Sequence, residues 1–161
     1  MGKVTQTGDN LKTMTIFTGE YKYSIDEKKR LAIPTKMRSS LGIKGVITRG
    51  LDKCLYLFTT KEWEVMVEKI SKMPLAGSDS RSFARFFLTG AMEVSLDNLG
   101  RILIPDFLKK YANLERKVVV AGVNNHVEIW DEIKWQEYRE KTDAASEEIA
   151  ERLYENKELG I

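Results

Sequence analysis

Two pairs of oppositely charged residues occur at the same spacing in this chain of 161 residues. Asp26 precedes Arg30 in "SIDEKKRLAIP". Asp97 precedes Arg101 in "SLDNLGRILIP". In each phrase a strand-like run ends at the Asp and another begins at the Arg, so the residues between them form a turn. The carboxylate can accept hydrogen bonds from the turn and pair with the planar guanidinium. For Asp26, Asp97 and Arg101 we expect mainly this bracing role.

Arg30 is expected to do more than brace its turn, because other cations surround it. Lys28 and Lys29 precede it, and Lys36 and Arg38 follow on the next predicted helix, whereas the second turn reads "NLG" without a cation. This pattern predicts a loop that contacts a polyanion. In DNA binding, arginine suits a base edge such as guanine O6 and N7, and lysine suits phosphates. The predicted DNA-binding residues are Asp26, Lys28, Lys29 and Arg30, with Asp97 and Arg101 as a mainly structural second motif.

The net charge of +2 hides an uneven distribution. Residues 19–49 carry eight basic and three acidic side chains, whereas the equivalent stretch of residues 90–121 carries five and four. From Glu137 onward there are eight acidic and four basic side chains. The concentration of positive charge around the first turn is a weak signature of polyanion binding. Taken alone it is typical of a solvated surface.

The two phrases belong to a longer internal duplication. Asp26 and Asp97 are 71 positions apart, as are Pro34 and Pro105. After one inserted residue, "TRGLDKCLYLFTTKEW" aligns with "VAGVNNHVEIWDEIKW", which matches glycine with glycine and tryptophan with tryptophan. Chance rarely aligns such residues in order, so the chain contains two copies of one unit.

Each copy is predicted to fold as a βαββ unit followed by a helix. "GEYKYSID" alternates as a half-buried strand does, "RLAI" is a short strand, and "VITRG" and "CLYLF" form a hairpin. Thr59 and Glu62 form a capping box, and the helix that they open has Trp63, Val67 and Ile70 on one face. Such a unit leaves one sheet face uncovered. The copies are therefore predicted to close on each other as an internal pseudo-dimer, in a mainly β fold with flanking helices (α+β).

The predicted division of the chain follows this duplication. Residues 1–14 form a disordered N-terminal extension, residues 15–73 the first repeat, residues 74–89 a linker, residues 90–136 the second repeat, and residues 137–161 an acidic C-terminal helix.

Two of these segments are predicted to be helical outside the repeats. In the linker, Ser78 or Ser80 is expected to cap a short helix whose Phe83, Phe86 and Phe87 face a core or an interface. The acidic helix has only a thin apolar stripe, so it needs a partner to be stable. That partner is either the body of its own chain or a neighbouring subunit.

The sequence argues against an enzyme, a metal site and a membrane protein. His126 and Cys54, which align with each other, have no nucleophile–base pairing or metal-ligand spacing around them. No glycine-rich phosphate loop occurs, so we expect no cofactor and no small-molecule substrate. No apolar run reaches the roughly 20 residues of a membrane span. A single cysteine fits a reducing cytoplasm.

With these residues in view, the chain resembles the MraZ family of bacterial transcriptional regulators, which are built from two SpoVT/AbrB-like repeats. The resemblance covers about residues 16–135. It is carried by "FTGEYKYSIDEKKRLAIPTKMR", "TRGLDKCLYLF", the Trp of "KEW", "DNLGRILIP" and "VEIW". The doubled Asp-x-x-x-Arg motif at this spacing is specific, whereas a single copy would be weak.

The resemblance implies a swapped-hairpin β-barrel made from both repeats and an assembly into closed rings. It also implies a nucleoid-associated cytoplasmic protein that binds short direct repeats in the promoter of the division and cell-wall gene cluster. The family's DNA contacts match Asp26, Lys28 and Arg30. This chain departs from the family at Lys29, where Gly is usual, and at Leu99, which replaces the Lys of the motif.

A second function stays open from the sequence. An AbrB-like barrel also serves as a protein-interaction module of the antitoxin type, and the acidic tail is compatible with such a role. An antitoxin should co-purify with a partner and bind DNA better with it, whereas a MraZ-like protein should bind DNA repeats alone.

Overall fold

The computed structural model describes residues 16–160, so the predicted disordered extension of residues 1–14 lies outside the described residues. The first copy contains β1 (Glu20–Ser24), β2 (Arg30–Ala32), α1 (Thr35–Leu41), β3 (Lys44–Arg49), β4 (Leu55–Thr59), α2 (Thr60–Ser71) and then α3 (Ser78–Thr89). The second copy contains β5 (Met92–Ser95), β6 (Arg101–Leu103), α4 (Asp106–Tyr111), β7 (Lys117–Val123), β8 (His126–Asp131) and α5 (Glu132–Glu155). Apart from α3, which has no counterpart in the second copy, both copies follow the same order of elements, as the duplication predicts.

The strands form two antiparallel sheets in which most pairs join one copy to the other. The larger sheet has the order β1-β7-β8-β4-β3-β5, and the smaller is a ribbon of β2 and β6. Of the ladders between described strands, only β3–β4 and β7–β8 pair within one copy. β1 pairs with β7, β5 with β3, and β4 with β8. Neither copy therefore completes either sheet alone.

The closed barrel expected from the resemblance is not found among the described strands. β1 and β5 are the two edges of the larger sheet, and no ladder joins them. The chain leaves each edge at a tight turn and enters the ribbon, because β2 follows β1 and β6 follows β5. The ribbon thus links the two edges without a continuous ladder. The coarser prediction is confirmed: the fold is mainly antiparallel sheet with helices, and it ends in a C-terminal helix.

The main hydrophobic core draws on both copies. Leu31 and Ile102 are directly opposed in the ribbon and fully buried. They belong to one cluster of contacting residues with Leu57 of β4 and Ile129 of β8. The alternation of buried residues along the strands places these side chains on a shared inner face. Burial of the core therefore requires the strands of both repeats.

Helix α2 begins as predicted, whereas α3 does not. The Thr59 hydroxyl accepts a hydrogen bond from the Glu62 N–H at 3.1 Å and so caps α2. Gly77 occupies the N-cap of α3 and no side chain caps that helix, so the predicted Ser78 or Ser80 cap is wrong. Glycine adopts the extended N-cap conformation at little cost, and the serine hydroxyls are not needed there.

The phenylalanines of α3 form a second hydrophobic cluster with α2 and β4. Phe87 is buried against Phe58 and Trp63, with its ring stacked on Trp63 at a centroid distance of 5.4 Å. Phe83 and Phe86 are half-buried at the edge of this cluster. The predicted packing role of the Phe-rich helix is confirmed.

Helix α5 runs without a break across residue 136, which is the predicted boundary between the second repeat and the acidic C-terminal helix. Asp131 caps its first turn by accepting a hydrogen bond from the Lys134 N–H at 3.4 Å. Trp135 and Arg139 both contact Glu20 on β1, so the beginning of the helix lies on the sheet. No residue within α5 is buried, in agreement with its thin apolar stripe.

Candidate nucleic-acid interface

The first turn is held closed by the carboxylate of Asp26. Its Oδ1 accepts hydrogen bonds from the backbone N–H groups of Lys28 and Arg30, each at 2.9 Å. Its Oδ2 accepts a third from Arg30 Nε, also at 2.9 Å. The Asp26 carboxylate, just after β1, therefore accepts hydrogen bonds from two backbone N–H groups of the turn. It also fixes the Nε side of the Arg30 guanidinium.

The second turn repeats this arrangement almost atom for atom. Asp97 Oδ1 accepts from the N–H groups of Leu99 and Arg101 at 2.9 Å, and its Oδ2 accepts from Arg101 Nε at 2.8 Å. The bracing contact that the sequence suggests is thus present in both turns. Leu99 is exposed at the tip of the second turn, where the first turn carries Lys28.

Hydrogen bonds to the charged carboxylate shift the titration of both aspartates. The backbone N–H of Arg30 lowers the pKa of Asp26 below its ordinary value of 3.8, and the Arg30 guanidinium adds to this effect. The backbone N–H of Arg101 and then its guanidinium lower the pKa of Asp97 in the same way. Both carboxylates are therefore ionised at neutral pH, as the brace requires.

The ribbon brings the two turns to one side of the molecule. Arg101 Nη1 lies 3.9 Å from Asp26 Oδ2, so Asp26 faces guanidinium groups from both repeats. Among the described residues, no hydrogen bond holds the Nη groups of Arg30. Those donors remain available to a ligand, in the fork geometry that recognises guanine or phosphate.

Lys29 occupies a position that favours glycine. Its φ is +63°, and the matching residue of the second turn is Gly100 with φ +72°. The left-handed conformation strains a residue with a Cβ, which explains why glycine suits the matching position of the second turn. The Lys29 ammonium lies 2.6 Å from Asp106 at the start of α4, so this cation is paired across the repeats.

Arg38, one of the cations that the sequence places after the first turn, lies against the second turn. Its Nε donates to the Ile33 carbonyl at 2.6 Å, and the side chain lies against Gly100. A Cβ at Gly100 would stand 2.2 Å from Arg38 Nε, so the close approach depends on glycine. The second turn has no cation of its own, and the first repeat supplies one. The contact between Arg38 and Gly100 depends on how the two copies cross in the ribbon, so only the structure shows it.

A groove beside the first turn contains further basic residues. Lys109 of α4 and Arg116, just before β7, line it together with Asp26, Glu27 and Lys29. Both acidic and basic groups face this groove, so its charge is mixed. The basic residues of the candidate interface are therefore those of the first turn, with Arg38 beside the second turn.

The described residues do not bring together a catalytic or metal-binding arrangement. His126 contacts Asn125 Oδ1 and Glu128 Oε2 and packs on the ring of Tyr56. Cys54 is buried and its thiol donates to the Leu51 carbonyl, and burial raises its pKa, which disfavours the nucleophilic thiolate. No group of three metal-ligating side chains occurs in the described part of the chain.

No helix within residues 16–160 combines the length and the apolar character that crossing a membrane demands.

Comparison with known proteins decides the family. A family model described as "MraZ protein, putative antitoxin-like" matches twice, over residues 16–86 and 87–157. The chain belongs to the MraZ family.

The two matches agree with the internal duplication, and they extend beyond the repeats predicted from sequence. The first MraZ match includes most of α3, within the predicted linker, and the second includes all of α5. The predicted repeat boundaries themselves stay a prediction.

Named members of the MraZ family align with most of the chain. The "Transcriptional regulator MraZ" of Alkaliphilus metalliredigens is 44% identical over 146 residues, which cover 91% of this chain and 100% of that protein. The protein of the same name from Caldanaerobacter subterraneus is 47% identical over 135 residues, 84% of this chain and 94% of its own. That of Clostridium beijerinckii is 47% identical over 146 residues, 91% and 100%.

Proposed function

We propose that this protein is a sequence-specific DNA-binding transcriptional regulator. Its MraZ relatives carry the name of transcriptional regulators. The observation that carries the proposal is the pair of braced turns side by side, with the Nη groups of Arg30 not engaged by the described residues. A rigid turn lowers the entropy cost of placing an arginine in the major groove.

Each residue of the turns has a distinct role in this proposal. Arg30 reads a base edge, Lys28 and Lys29 contact phosphates, and Asp26 holds the turn in shape. Asp97 and Arg101 mainly keep the second turn and the ribbon in place. Arg38, against Gly100, adds a phosphate contact beside the second turn.

The proposed target is a set of short direct repeats in the promoter of the division and cell-wall gene cluster. One turn offers few contacts, so a single subunit binds weakly. A closed ring of subunits would present several turns to repeated sites and raise the affinity through effective concentration. Ring closure needs a head-to-tail interface, and we propose α3 and the acidic half of α5 for it.

The fold expected for such a protein is a swapped-hairpin barrel. The pairing of β1 with β7 and of β5 with β3 supports exchange of hairpins between the repeats. We propose that the ribbon completes the barrel across its two tight turns. The working location is the cytoplasm, at the nucleoid, and we propose no catalytic activity, cofactor or small-molecule substrate.

An interaction module of the antitoxin type is the second candidate. The words "antitoxin-like" in the description of the family model favour it. In that case the turns would bind DNA well only when a partner protein is attached. Partner dependence therefore separates the two functions.

The test is whether the purified chain alone binds the promoter repeats. Fluorescence anisotropy should be measured with the promoter duplex and with a scrambled duplex of equal length, while light scattering gives the mass of the assembly. We expect tighter binding to the promoter by an oligomer without any partner. Binding that requires a co-purified protein would favour the antitoxin-type module, and equal binding to both duplexes would contradict sequence specificity.

A further inference from the structure

Lys29 of the first turn is held by the second repeat at both its backbone and its side chain. Its carbonyl accepts a hydrogen bond from the Ile104 N–H at 2.9 Å, and its ammonium lies 2.6 Å from Asp106 Oδ1. In the second turn the Gly100 carbonyl likewise accepts from the Ile33 N–H at 2.9 Å. The backbone contact is therefore common to both turns.

The ion pair, in contrast, belongs to the first turn only. Position 29 corresponds to Gly100, and Asp106 corresponds to Thr35 at the start of α1. Neither Gly100 nor Thr35 carries a charge, so no such pair can form on the other side of the ribbon. Lys29 and Asp106 come from different repeats and thus form an ion pair beside the turn that we propose to contact DNA.

We propose that Asp106 competes with DNA phosphates for Lys29 and thereby sets the overall affinity and the salt dependence of DNA binding. This inference rests on the proposed DNA-binding function. The side chains of Lys29 and Asp106 are 45% and 74% exposed, so water and ions reach the pair and a phosphate can replace the carboxylate. Asp106 weakens one phosphate contact and also repels phosphates directly.

Asp106 acts on affinity and not on sequence preference. Phosphate contacts position a protein on the duplex but carry no sequence information. Each phosphate contact steepens the dependence of log K on log salt by about 0.9 for duplex DNA. Strengthening the Lys29 contact should therefore affect every duplex equally and appear in the salt slope.

The test compares Asp106→Asn with Glu64→Gln in the full chain, by anisotropy on promoter and scrambled duplexes over a salt series. Glu64 is a matched control because it is an exposed carboxylate of another helix, α2, away from the two turns and from the proposed ring interface. We expect Asp106→Asn to bind both duplexes roughly three-fold more tightly, with a slope steeper by up to about one. Glu64→Gln should match the wild type.

A double-mutant cycle separates competition for Lys29 from simple repulsion. In a Lys29→Ala background, Asp106→Asn should lose most of its effect, because no ammonium remains to be released. An equal effect in both backgrounds, or an Asp106→Asn slope equal to that of the wild type, would overturn this inference and leave the DNA-binding function intact. Failure of the wild type to bind any duplex would overturn both.

Discussion

At the scale of single residues, Asp26 carries the geometry of the first turn. Its three hydrogen bonds tie Lys28 and Arg30 to one carboxylate, and Asp97 does the same in the second turn. The sequence predicts this brace because a carboxylate that precedes an arginine across a short turn has few other partners. It does not predict that Arg101 also approaches Asp26, because that contact depends on how the repeats cross.

The lowered pKa of Asp26 makes a prediction about stability and pH. A carboxyl whose pKa is depressed by folding stabilises the folded state fully above its unfolded pKa, near 3.8. This contribution disappears as the pH falls through the lower pKa of the folded state. Asp26→Asn should therefore be less stable than the wild type at pH 7, and the difference should shrink below about pH 3.8.

Urea denaturation of both proteins between pH 7 and pH 2.5 checks this expectation. Asp52→Asn, at an exposed residue of the loop between β3 and β4, serves as the control and should show no comparable convergence with the wild type. A difference between wild type and Asp26→Asn that stays constant over the whole range would contradict the role of the charged carboxylate.

At the scale of elements, the strands and helices of each copy could largely be predicted from the sequence. Alternation along the strands and the Thr59 cap of α2 are local signals. The start of α3 could not be predicted, because serine is the common cap and Gly77 is used here. The open sheet and the Arg38–Gly100 and Lys29–Asp106 contacts depend on pairing between distant strands, which no local pattern encodes.

The second turn offers a prediction at this scale. Gly100→Ala should cost about 1 kcal/mol of unfolding free energy, because a Cβ strains its positive φ of +72°. Gly42→Ala at the end of α1, where φ is +78° and ψ is −155°, should cost about 1–3 kcal/mol, since this backbone region is essentially confined to glycine. Only Gly100→Ala should also displace Arg38, since a Cβ at Gly42 would meet nothing within 4 Å.

Two readouts distinguish the variants. Urea denaturation should give a loss of stability for both, whereas the salt slope of DNA binding should become shallower by up to about one only for Gly100→Ala. Equal salt slopes for both variants would argue against a phosphate contact by Arg38.

At the scale of the whole molecule, the two repeats share one main hydrophobic core and both sheets. β1, β2 and β5 find their ladder partners in the other copy, and Leu31 packs against Ile102 across the ribbon. Each repeat alone would expose its core face and leave edge strands unpaired. The Asp-x-x-x-Arg motif therefore occurs twice because the fold needs both turns, although the basic residues concentrate in the first copy.

Separate fragments of the two repeats test whether either repeat can fold alone. Fragments 16–76 and 77–160 should each show little ordered structure alone, by circular dichroism and by the dispersion of amide NMR signals. Mixed in equal amounts they should regain the ordered signals of the full chain, because the cross-repeat ladders can form between fragments. A first fragment that folds independently would contradict the shared core.

We propose that Arg30 reads DNA while Arg101, in the matching brace, mainly supports the fold. The most direct measurement is the ratio of promoter to scrambled-duplex affinity, by anisotropy, for the wild type, Arg30→Ala and Arg101→Ala. Thermal unfolding of each variant controls for loss of structure. We predict that Arg30→Ala loses the preference by roughly ten-fold or more, since a bidentate base contact contributes about 1–3 kcal/mol of discrimination. Arg101→Ala should keep it. A folded Arg30→Ala with an unchanged ratio would contradict the account.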